Sequence, residues 1–172
     1  MIIDTYQSAA VMRILQRGEV YRAMPSISFK REYAALIDML DLHCACPVFG
    51  VVAGRKQNTG GRVSGSVRIR LNVPKEYVKL TEYTLWADFL DHFKYTKPND
   101  YKTIIVGTED VTSTAHRQIV EDLIRQRPLS QYKVPQAILE YIDPQWVVRY
   151  KIIKNTREQE DKKERFFNFF RW

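Results

Sequence analysis

The segment Val63 to Val73 alternates strictly. Val63, Gly65, Val67, Ile69, Leu71 and Val73 fall on one face, and Ser64, Ser66, Arg68, Arg70 and Asn72 on the other. A period of two over this length is a β-strand with one face buried. The chain must therefore build a sheet with a covered side, and Arg68 and Arg70 must project together from the opposite side. The basic loop Gly54 to Arg62, carrying Arg55, Lys56 and Arg62, feeds directly into this strand. Pro74 ends the ladder, and Thr81 to Phe93 is predicted to be helical, with Leu85, Phe89 and Phe93 aligned.

The rest of the chain supplies partners for that sheet. Ile2 to Tyr6 reads as a short strand, and Ser8 as the N-cap of a helix that Gly18 stops. Glu19 to Arg22 resumes an extended path. Phe29 to Leu40 forms a second helix, with Tyr33, Leu36, Ile37 and Leu40 on one stripe. The apolar run Pro47 to Ala53 is expected as a buried central strand, paired with Val63 to Val73 in an antiparallel hairpin. Lys94 to Lys102 is a turn region, Tyr101 to Val106 extended, and Ser113 to Arg125 an amphipathic helix. Val134 to Tyr141 and Trp146 to Ile153 form the last two strands, split by the Asp143–Pro144 turn. The expected architecture is a single α+β domain over residues 1–153, a mostly antiparallel mixed sheet flanked by helices.

From residue 154 the chain changes character into a charged helical tail. Thr156 and Gln159 resemble a capping box, and the tail ends in Phe166, Phe167, Phe169, Phe170 and Trp172. So dense a run of aromatics is unstable in water. It is expected to pack back on the domain, to pair two copies, or to dock on a protein partner.

Composition narrows the class of partner. Lys and Arg number 27 against 20 acids, a net charge of +7, which favours an anionic partner. No stretch approaches the roughly 18 apolar residues of a membrane span. The N-terminus has no basic region followed by an apolar run, so no signal peptide is expected and the expected compartment is the cytoplasm. Cys44 and Cys46 then stay reduced, as buried thiols at a strand edge. With His43 they form H-C-A-C, too few ligands for a metal, and His92 and His116 stand alone. No metal or cofactor is expected.

Several short motifs resemble an uncharacterised bacterial family, the domain-of-unknown-function family 3841. They are Thr5-Tyr6-Gln7, Gly18-Glu19-Val20-Tyr21, Pro47-Val48-Phe49, Val73-Pro74, Val78 to Tyr83, Trp86, Gln136 to Leu139 and Trp146 to Val148. The resemblance covers residues 1 to 153. The order of elements is also similar to the ADP-ribosyltransferase-like folds. That likeness implies an NAD cleft bordered by Thr5, Tyr21, Tyr33 and Gln136, with Gln136 standing where those enzymes carry a glutamate. A glutamine lacks the charge that stabilises an oxocarbenium-like transition state.

The leading expectation is accordingly a small basic binding protein of phage or mobile-element type, an inhibitor or modulator. It would use Arg55, Lys56, Arg62, Arg68 and Arg70 against nucleic acid or a nucleoprotein complex. An NAD-dependent transferase, and a protein-docking module using the aromatic tail, are the alternatives.

Overall fold

A computed structural model of the chain describes residues 1–25, 29–56, 65–96 and 111–153, with backbone alone at 91–96 and 111–117. Arg62, Tyr101 to Val106 and the whole tail, including Phe166, Phe167, Phe169, Phe170 and Trp172, lie outside the described residues.

The protein is α+β. The strands are β1 (Ile2–Gln7), β2 (Val48–Val52), β3 (Val67–Asn72), β4 (Lys79–Glu82), β5 (Pro135–Leu139) and β6 (Val147–Ile152). They form one six-stranded sheet in the order β4-β5-β2-β1-β3-β6. Every pairing is antiparallel. The described helices are α1 (Ala9–Gln16), α2 (Lys30–Met39), α3 (Tyr83–Thr96) and α4 (Val111–Ile124).

Two expectations are corrected here. β2 and β3 do not form a hairpin, because β1 lies between them and pairs with both. Gly50 makes this insertion possible: a Cβ there would stand 2.4 Å from Ile3 Cγ2 and 3.3 Å from the Asp4 carbonyl oxygen. Thr81 and Glu82 belong to β4 rather than to the following helix. Thr81 pairs with Gln136 in register. The Glu82 carboxylate accepts the backbone N–H groups of Lys133 and Val134, each at 2.7 Å. These long-range bonds override the local helical pattern.

Each sheet face has its own cover. On the first, α1 packs Val11, Met12 and Leu15 against Ile3, Val67, Ile69 and Leu71. The Ser8 hydroxyl caps this helix by accepting from Val11 N–H, and Gly18 ends it at φ +79°, a left-handed conformation that glycine adopts without strain. On the second face, α2, α3 and α4 bring Leu36, Trp86, Phe89, Val120 and Leu123 onto Ile138 and Phe49. Ile138 belongs to β5 and Phe49 to β2. The β1, β3 and β6 half of this second face carries polar side chains instead.

The outer edge of β4 is blocked by a side chain. Gln126 accepts Leu80 N–H and donates to the Leu80 carbonyl, both at 3.0 Å, so an amide takes the place of a neighbouring strand.

The close approach at Gly50 sets the first expected outcome. Gly50→Ala forces Ile3 out of position and destabilises the fold by about 1–3 kcal/mol. Urea unfolding measures this as a lower midpoint with an unchanged slope.

Candidate functional site: a cationic sheet face beside an aromatic cleft

Among the described residues no helix covers the β1, β3 and β6 half of the second face, and its side chains follow from strand alternation. On β1, Asp4 and Tyr6 face opposite to Ile3 and Thr5. Arg70 lies opposite Asp4 and Arg68 opposite Tyr6 on β3. On β6, Arg149 lies opposite Arg70, and Lys151 opposite Arg68. Four cations thus stand in two successive rows, about 7 Å apart along the strands.

One carboxylate sits among them. Asp4 is 2 % exposed. Arg70 grips it with two parallel bonds, Nε to Oδ1 and Nη2 to Oδ2, each 2.8 Å. Arg68 Nε stands 3.6 Å from Oδ2. Burial alone would raise the Asp4 pKa. The Arg70 hydrogen bond and the charges of Arg68, Arg70 and Arg149 outweigh it and hold the carboxyl below its ordinary value. The Arg68 and Arg70 side chains remain 30 % and 24 % exposed, and Arg149 and Lys151 are exposed. The group keeps a net of three positive charges after Asp4 is counted.

Asp4 and Tyr6 also form one wall of a cleft of about 260 Å³. Tyr33, Phe49, Tyr83 and Gln136 line it further. Tyr33 from α2 stacks on Trp86 and packs at a tilt against Phe49, with ring centroids 6.4 and 5.4 Å apart. Burial, with smaller help from Cys46 and Glu32, raises the Tyr33 phenol above its ordinary value, so its hydroxyl keeps its proton at neutral pH. The Gln136 carbonyl oxygen accepts the Thr81 hydroxyl at 3.2 Å. Among the described residues its amide NH₂ has no partner.

The residues expected from sequence divide between places. Arg68 and Arg70 do share the open face. Arg55 is separated from them: its guanidinium donates to the Tyr132 carbonyl at 2.6 Å, toward the β5 side, and Lys56 follows it, exposed. Tyr33 and Gln136 both line the cleft. Thr5 and Tyr21 do not line it. Thr5 is fully buried on the other face, its hydroxyl donating to the Phe49 carbonyl at 2.8 Å and accepting from Gln7 Nε2. Tyr21 makes an isolated bridge to Ile142. Cys46 is buried and Cys44 partly so, neither in a disulfide, in the bend before β2 rather than in a strand. Among the described residues no group of His, Cys, Asp and Glu could hold a metal, and no helix is long and apolar enough to cross a membrane.

Sequence reasoning missed Asp4, Tyr6, Tyr83, Arg149 and Lys151. The alternation of Arg149 and Lys151 with Tyr150 and Ile152 was a usable signal. So was an acid, Asp4, inside an otherwise buried short strand. No family model, curated protein or solved structure matches the chain.

The Asp4 carboxyl has a lower pKa folded than unfolded, where it is about 3.9. Its stabilisation is complete above that value and fades as pH falls through the folded value. Asp4→Asn is expected to cost about 1–3 kcal/mol at neutral pH. Thermal melts from pH 7 down to about pH 3 should show wild type and variant converging only below roughly pH 4.

Proposed function

We propose that this protein binds the phosphate backbone of nucleic acid on the open half of its sheet, through Arg68, Arg70, Arg149 and Lys151. The observation that carries the reading is the pairing of like charges. Arg70 faces Arg149 and Arg68 faces Lys151 directly across β3 and β6. Like-charged cross-strand pairs destabilise a sheet, and a single carboxylate offsets them. Cations on an edge strand discourage strand addition, which accounts for Arg149 and Lys151 alone. β3 is an interior strand, so edge protection gives no reason for Arg68 and Arg70. An anionic partner supplies the missing counter-charge for both rows, and the net charge of +7 steers it in.

Such contacts are sequence-independent and release counterions. Four phosphate contacts give a plot of log affinity against log salt with a slope of about −3. Arg149→Gln/Lys151→Gln is the informative variant, because neither residue hydrogen-bonds Asp4 and both lie exposed. It is expected to weaken binding to unrelated sequences alike and to flatten the slope by about 1.5 units. An unchanged slope in a folded variant would remove the proposal. Asp4→Asn, which leaves all four cations in place, is expected to tighten binding at a given salt concentration.

A further inference from the structure

We infer that the nucleic acid is single-stranded, with one unpaired base held in the cleft beside the cationic rows. The inference rests on the phosphate-binding reading above and adds what the cleft does. Three observations carry it.

The first is contiguity. Asp4 and Tyr6 line the cleft and are the β1 residues directly opposite Arg70 and Arg68. A strand whose phosphates follow the cations therefore passes along the cleft mouth. In a duplex, the bases are stacked and paired within the helix and cannot enter.

The second is the chemistry of the walls. Tyr6 and Tyr83 are half-buried, and among the described residues neither ring has an aromatic neighbour. Tyr33 and Phe49, by contrast, are committed to a ring cluster with Trp86. The two unpartnered rings are stacking surfaces of the kind that single-strand binding proteins use. Gln136 adds the polar element: its carbonyl oxygen is held by Thr81, which leaves its NH₂ to donate to a carbonyl oxygen or ring nitrogen on a base edge.

The third is size. A cleft of about 260 Å³ lies below the roughly 300–1,000 Å³ typical of drug-sized ligands. It suits one ring system and excludes a whole dinucleotide.

The test compares two labelled strands of equal length by fluorescence anisotropy at fixed salt: a twelve-residue oligothymidylate and its abasic counterpart, which keeps the phosphates and lacks the bases. One stacked base is expected to favour the oligothymidylate by about 5- to 150-fold. Tyr6→Ala and Tyr83→Ala should each cut that ratio, and Gln136→Leu should lower it further for a base with exposed carbonyl oxygens. Circular dichroism of each variant checks folding. Arg149→Gln/Lys151→Gln should weaken both strands by the same factor and leave the ratio intact. Equal affinity of the wild type for the two strands overturns the base-binding inference and leaves phosphate binding standing. Failure to bind either strand overturns both. Stronger binding to a twelve-base-pair duplex than to the single strand also overturns the inference.

Discussion

The bidentate grip of Arg70 on Asp4 organises the cationic face of this sheet. A carboxylate 2 % exposed in the middle of a sheet is costly unless its charge is met, and Arg70 meets it with both oxygens. That contact ties β1 to β3 through side chains as well as through the ladder. It also orients Arg70 along the sheet surface, with Arg68 beside it. A buried ion pair is weak evidence of net stability. Its effect here is geometric: the anion fixes where two guanidinium groups stand, while Arg149 and Lys151 on β6 remain in solvent. Four cations around one acid form a preorganised surface whose charge is mostly unspent within the fold.

The position of β1 allows this arrangement. With β1 between β2 and β3, its apolar residue Ile3 reaches the α1 core. On the opposite face, Asp4 and Tyr6 lie at the boundary between the helix-covered half and the open half. A β2–β3 hairpin would have left no such boundary. The period of two in Val67 to Asn72 was readable because alternation is a local property, and it reported correctly which residues share a face. Pairing order is not local. Consecutive strands are neighbours in most cases, which is why the hairpin was the natural expectation. The contrary signal was Gly50, a glycine inside a buried strand, which marks close backbone approach. The same distinction explains Thr81 and Glu82, whose helical pattern yields to bonds with residues more than fifty positions away.

Legibility of the site follows the same rule. Arg68 and Arg70 could be placed together because one strand carries both. Arg149 and Lys151 alternate as clearly, yet nothing within Val147 to Ile152 tells that β6 pairs with β3. Arg55 looked equivalent to Arg68 by charge and proximity in sequence. Its capture by the Tyr132 carbonyl depends on a segment seventy-seven residues distant. The cleft draws walls from β1, β2, α2, α3 and β5, so no single stretch could announce it. Tyr33 and Gln136, implied by the resemblance in element order, both line the cleft. Thr5, taken from the same resemblance, is on the wrong face because one step along a strand reverses a side chain.

The charge of the cleft favours the proposed phosphate path over a transferase. In register, Gln136 lies opposite Val51, and Val51 opposite Asp4, which puts the two polar residues on one face roughly 10 Å apart. A transferase that stabilises a cationic transition state gains from a carboxylate at position 136. A surface that guides phosphates loses by it. A second buried anion at that distance would repel Asp4, or a phosphate in comparable position, by about 1–2 kcal/mol at the effective dielectric of a protein interior. It would also demand a cation of its own. Glutamine keeps the shape of a glutamate, replaces one acceptor oxygen with a donor NH₂, and adds no charge. With Thr81 holding its oxygen, it is presented as a donor. Among the described residues Asp4 is the one acid lining the cleft, and it is already neutralised from the cationic side, so an anionic chain crossing from β6 to the cleft over Arg149, Lys151, Arg68, Arg70, Asp4 and Tyr6 meets no uncompensated negative charge among them.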